Sequence, residues 1–99
     1  MANSEGPVLL AGEKTVTAAG TAEALVAATQ RAKAVTIIAK VGNTGQVYVG
    51  GSDVASTTND GLNPGDELEI PADNWLDLAD LYLDVDTNGE GVDFYAVKA

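Results

Sequence analysis

Apolar and polar residues alternate with a two-residue period in several short stretches of this chain, the mark of strands with one buried face. In AVTIIAKV, Ala34 to Val41, the residues Val35, Ile37, Ala39 and Val41 share a face, and Ile38 on the other implies that this side is partly covered too. In QVYVGG, Val47 and Val49 point one way and Tyr48 the other. Leu68 and Ile70 face inward from Glu67 to Ile70. Leu81, Leu83 and Val85 do the same, with Tyr82, Asp84 and Asp86 outward, and Val92, Phe94 and Ala96 line one face of the last stretch. Glu13 to Gly20 reads as a short strand and a turn. Turn chemistry separates these runs. Gly42 to Gly45, GNTG, joins the strands on either side into a hairpin, and Asn88-Gly89 sits near the tip of a second hairpin loop between the last two strands. Pro64-Gly65 suits the central positions of a type II turn, where glycine tolerates positive φ. Short strands with regular turns predict an all-β fold, a small antiparallel β-sandwich or barrel-like domain.

One stretch resists this reading. TAEALVAATQRAKA, Thr21 to Ala34, is helical by intrinsic propensity, and Thr21 is placed to cap it. Yet its apolar residues Ala24 to Ala28 are continuous and form no 3.6-residue stripe. Ahead of the strands, residues 1–12 read as an extended N-terminal arm carrying the apolar run Val8-Leu9-Leu10, with residues 13–99 as the sandwich domain. No internal repeat or linker divides the rest.

Composition sharpens the picture. In 99 residues the apolar fraction is 45%, enough for a core, but alanine and valine dominate it. Each alanine removes little area from water, so the core is thin, and oligomerisation or docking onto a larger surface would compensate. The chain lacks Cys and His. That excludes disulfides, thiolate metal sites and the commonest general base. Net charge is −10 and unevenly placed: the twelve acids from Asp53 to Asp93 face Lys98 alone in the second half. Such a surface repels nucleic acid and anionic lipid and attracts basic protein surfaces. No apolar run approaches the roughly 20 residues of a membrane span, and the first residues carry no secretory pattern.

Four patterns invite chemistry. DVDTNGEG, Asp84 to Gly91, starts like a calcium loop, and Asp84, Asp86 and Asn88 are its candidate ligands. The position reserved for a bidentate glutamate falls on Tyr95, however, and the flanks alternate as strands, which favours a plain polar turn. GNTGQVYVGG is glycine-rich but lacks the Lys-Ser/Thr of a phosphate loop. Asp66, Glu67, Glu69, Asp73, Asp77 and Asp80 resemble a solvated face more than a glycosidase pair, which needs a cleft and one carboxyl of raised pKa. Trp75, the lone tryptophan, is either an interface anchor or a packing residue. No catalytic residue, cofactor or firm metal site emerges, and the expectation is a protein that is not an enzyme.

The order of these pieces resembles a module of tailed-bacteriophage virion proteins. Its pattern is a β-branched strand (Val35 to Ile38), Gly-Asn-Thr-Gly (Gly42 to Gly45), a VYVGG strand (Val47 to Gly51), then a Gly-Leu-x-Pro-Gly-acid turn and an acidic alternating strand (Gly61 to Ile70). LYLDVDTNGEGVDFYAV extends the likeness, which covers Thr21 to Val97. The resemblance implies a small β-sandwich in a structural protein of the particle, of head decoration or head fibre type. It favours two strands flanking Gln30 to Lys33 over the helix. The expectation drawn from it is a decoration protein that binds the major capsid protein on the outer surface of the mature head and assembles in the host cytoplasm; the thin core adds the expectation of a homotrimer, placed near local three-fold positions. A receptor- or carbohydrate-binding module of a fibre or tail component is the alternative, with Tyr48, Trp75, Tyr82 and Tyr95 as a sugar-stacking platform. Val8, Leu9, Leu10 and Trp75 are the expected contacts with capsid or neighbouring copy.

Overall fold

The computed structural model describes residues 8–57 and 59–99. Seven strands follow one another: β1 (Leu9–Thr15), β2 (Glu23–Ala24), β3 (Arg31–Ala39), β4 (Val47–Gly50), β5 (Glu67–Asp77), β6 (Tyr82–Val85) and β7 (Gly91–Lys98). A 3₁₀ turn, Leu78–Asp80, separates β5 from β6, capped by the Asp77 carboxylate on the Ala79 N–H. All pairings are antiparallel, in a four-stranded sheet of order β1-β7-β3-β5 and a three-stranded sheet of order β2-β6-β4. The fold is all-β and sandwich-like. Its apolar layer comes from both sheets: Val35, Ile37 and Ala39 of β3, Val92, Phe94 and Ala96 of β7, Val47 of β4, and Leu83 and Val85 of β6.

The period-two faces of these strands are those expected from sequence. Val41 and Leu68 are exceptions: β3 ends at Ala39 and leaves Val41 85% exposed, and Leu68, near the start of β5, is 37% exposed. The Pro64-Gly65 turn forms as anticipated, with Asp66 N–H donating to the Asn63 carbonyl at 2.9 Å and Gly65 at φ +88°. Three sequence signals need correction. The helix that propensity offers over Thr21 to Ala34 is absent, and strands, which the resemblance favours, stand in its place: the stretch contains two-residue β2, an irregular run, and the start of β3. The break expected over Gln30 to Lys33 falls earlier, because Arg31 to Lys33 are already strand. Alanine favours helix by intrinsic propensity, and here pairing to β5 and β7 overrides it.

The third correction concerns connectivity. β3 and β4 do not form a hairpin, and neither do β6 and β7; in each case the two strands lie in different sheets. Both turns are crossovers between the layers. Of the expected arm, Leu9 to Gly12 are strand, registered on Val97 to Phe94, and the Lys98 N–H donates to the Val8 carbonyl at 2.8 Å. Residues 1–7 of that arm lie outside the described residues.

β5 carries the one large irregularity. Ala34 pairs with Pro71 and Ala32 with Leu76, so Ala72 to Trp75 stand opposite the single residue Lys33. This bulge leaves Trp75 without a partner in the β3 register and 48% exposed, with the Arg31 guanidinium 4.2 Å from its ring centroid.

Candidate docking surface

The two sheets treat their outer faces differently. On the three-stranded sheet, Tyr48 and Asp84 pair across β4 and β6 and both are buried, Asp84 to 1% exposure. Loops cover them. Asp84 Oδ1 accepts from the N–H groups of Gly20 and Val85, each at 2.8 Å, and its Oδ2 accepts from Ser56 N–H at 3.3 Å. Val54 of the same covering loop is buried. Asp86 accepts from Gln46 N–H at 3.0 Å and from the Tyr48 hydroxyl at 2.9 Å. Burial, together with that bond to Asp86, pushes the Tyr48 phenol above its ordinary value. Asn88 accepts from Ala19 N–H at 2.7 Å.

The calcium-like stretch therefore works as a stitch. Asp84 and Asn88 both hold the Ala19-Gly20 loop, Asp84 also holds the Ser56 loop and Asp86 the start of β4, and among the described residues no group of acids is arranged to hold a metal ion. Glu90 completes the seam. Its carboxylate accepts from Thr44 N–H at 2.7 Å, Thr44 hydroxyl at 2.9 Å and Gly45 N–H at 3.0 Å. Those bonds hold its pKa below the ordinary carboxylate value against a smaller desolvation effect. Asn43, buried, donates to the Gly91 carbonyl at 2.8 Å and accepts from its N–H. The GNTG turn and the DTNGEG turn are thus laced together, each a crossover that the other satisfies.

A concavity of about 440 Å³ beside this seam is lined by Lys40, Asn43, Glu90 and Asp93. Its polar groups are already engaged. Lys40 Nζ lies 2.6 Å from Glu13 and 2.8 Å from Asp93, and those bonds, with Asp93 first, raise its pKa. Among the acids read as a solvated face, Asp77 accepts from Ala79 N–H and Gln30 N–H, and its carboxyl is held low, the reverse of what a general acid needs. Asp66 accepts from Asn63 N–H within its own turn.

Among the described residues, the outer face of the four-stranded sheet has no such cover. Register places Leu9, Val97, Ala34 and Pro71 in one row across β1, β7, β3 and β5, with Ala11, Tyr95, Thr36 and Glu69 in the next. Leu9 is 73% exposed and Tyr95 57%. The third row, Glu13, Asp93, Ile38 and Glu67, is where Lys40 joins two acids. This face is apolar at one end and acidic at the other.

The expected contact residues divide accordingly. Val8, Leu9 and Trp75 are exposed, Leu9 in the bare apolar row. Leu10 is half-buried against the core, because its neighbour takes the outward position. The four aromatics of the imagined sugar platform are not gathered: Tyr48 is buried, Tyr82 lies on the three-stranded sheet, and Trp75 and Tyr95 belong to the other. Sequence reasoning missed Tyr95, Val97, Ala34 and Pro71 as a surface. Their signal was present as the outward set of strands whose inward set was recognised. Comparison with protein-family models, curated proteins and solved structures finds no match to this chain.

Proposed function

We propose that this chain is a non-enzymatic structural protein of a tailed-phage virion, a decoration protein that docks on the outer surface of the mature head. The observation that supports this reading is the outer face of the four-stranded sheet, which nothing covers among the described residues, set beside an opposite face that the chain's own loops cover. Exposed apolar rows of this kind are where a protein meets a partner. The sequence resemblance supplies the nature of the assembly, and the thin core supplies the reason to associate, as a trimer with its own copies and with shell subunits. Binding only to the expanded shell shifts the shell's equilibrium towards that state.

Sedimentation of the purified protein with expanded heads and with unexpanded ones tests the proposal. The expected result is co-sedimentation with expanded heads only, together with a higher temperature for DNA release from the decorated particles. Tyr95→Asp and Leu9→Asp weaken both effects. Protein that stays in the supernatant with every head preparation contradicts the reading.

A further inference from the structure

The four-stranded sheet ends in two edges that are built differently. Along β5, Ala39 N–H donates to the Asp66 carbonyl at the end of the β3 ladder, so Leu68 and Ile70 bond to β3. Glu67, Glu69 and Pro71 hold the positions turned to the free edge. Two carboxylates, a residue without an N–H, and the bulge that follows are the devices by which natural sheets prevent an added strand.

β1 has none of them in its first half. Lys98 N–H donates to Val8 and Val16 N–H to Glu90 at the two ends of its ladder with β7. Leu10, Gly12 and Lys14 therefore bond to β7, and Leu9, Ala11, Glu13 and Thr15 present N–H and C=O groups to the edge. The register is unbroken over all seven residues, Leu9 to Thr15. Among the described residues no strand covers this edge.

We infer that the β1 edge receives an extended segment of another polypeptide, added as a further strand of the sheet, with apolar residues beside Leu9 and Ala11 and a Lys or Arg beside Glu13. Charge decides the occupant. The chain carries −10, and two of its five cations, Lys14 and Lys40, are held in ion pairs with Glu23, Glu13 and Asp93. A second copy fits poorly. The outward-face residues of β1 are Leu9, Ala11, Glu13 and Thr15, so no two-fold pairing of β1 with itself sets a cation against Glu13. This inference deepens the docking proposal above by naming how the partner is held; strand addition itself is tested without heads.

The probe is a short capped peptide alternating valine and lysine, with a second in which glutamate replaces lysine. Amide exchange by NMR is read on the full chain with each. The expected result is slowed exchange at Leu9, Ala11, Glu13 and Thr15 with the lysine peptide, and binding about tenfold weaker with the glutamate peptide. Glu67 and Glu69 stay unchanged. Ala11→Pro removes one edge N–H without touching the β7 ladder and abolishes the effect, whereas Glu69→Pro, the matched change on β5, does not. Glu13→Lys, in which Lys40 keeps Asp93, reverses the preference towards the glutamate peptide and keeps the inference testable if the proline variant unfolds. Protection at β5, no protection anywhere, or edge amides already protected in peptide-free protein that sediments as a dimer would overturn it. Heads that bind wild type and Ala11→Pro equally would leave the docking proposal standing and remove this one.

Discussion

Seen from outside, the two sheets are opposites. The three-stranded sheet is small, and its outer face disappears under loops pinned by carboxylates; even an aspartate there is as buried as a core valine. The four-stranded sheet is wider, and its outer face holds Leu9, Tyr95 and Val97 with nothing over them among the described residues. Each sheet has one face on the shared core. The difference teaches where each face's interactions are completed. On the small sheet the chain satisfies its polar groups internally. On the large one apolar surface is left for something else to cover.

The largest effect is expected where the covered face is opened. Asp84→Ala leaves the N–H groups of Gly20 and Ser56 without their acceptor under a buried loop. Urea unfolding should show a loss of about 3 kcal/mol, since each orphaned buried group costs about 1–3. A loss under about 1 kcal/mol would mean that water replaces the carboxylate and that the cover is loose. Gly91→Ala comes next. A Cβ there would overlap the Lys14 carbonyl oxygen, a backbone atom that cannot step aside. The expected loss is about 2–3 kcal/mol by the same measurement.

The seam carries a pH signature. Glu23, Asp77 and Glu90 have folded pKa values below their ordinary 4.5, 3.8 and 4.5, so the stability they contribute is complete above those values and is lost as pH falls through the lowered ones. Lys40 and Tyr48 have raised values, so their contribution is present below 10.5 and 10.0 and is lost as pH rises further. Glu90→Gln isolates one part. Its stability gap from wild type should be widest above about pH 5 and close as the solution is acidified. A gap independent of pH would show that the carboxylate charge is irrelevant to the seam.

The smallest effect on stability belongs to the bare face. Tyr95→Thr keeps a good strand residue and removes an exposed ring, so the melting curve should move by no more than about 0.5 kcal/mol equivalent. The same change should weaken binding to heads. Should it destabilise the free protein as much as Asp84→Ala does, the contrast between the faces collapses.

How much of this was legible follows the same division. Val35 to Ala39, Leu83 to Val85 and Val92 to Ala96 could be read because half-buried strands print their burial into alternate residues. The Pro64-Gly65 turn could be read because its geometry demands those residue types. The crossovers could not. GNTG and DTNGEG look alike whether a turn stays within a sheet or passes between sheets, and only Asn43 and Glu90 bonding to the other turn shows which. Asp84 sits at an outward position of its strand, and nothing local says that residues from Gly20 and from the Ser56 loop will bury it. Pro71 and the bulge to Trp75 hid the second half of β5 by breaking its period. The alanines from Thr21 to Ala34 pointed to helix, and only pairing with distant strands places β2 and the start of β3 there.

Amide exchange along the chain, free and then bound to expanded heads, tests the central claim most directly. The Gly20 and Ser56 N–H groups should be protected in both states, and Leu9 and Ala11 should exchange quickly when free and slowly when bound. Protection gained instead over the Gly20 and Ser56 loops, with Leu9 and Ala11 unchanged, would contradict the account.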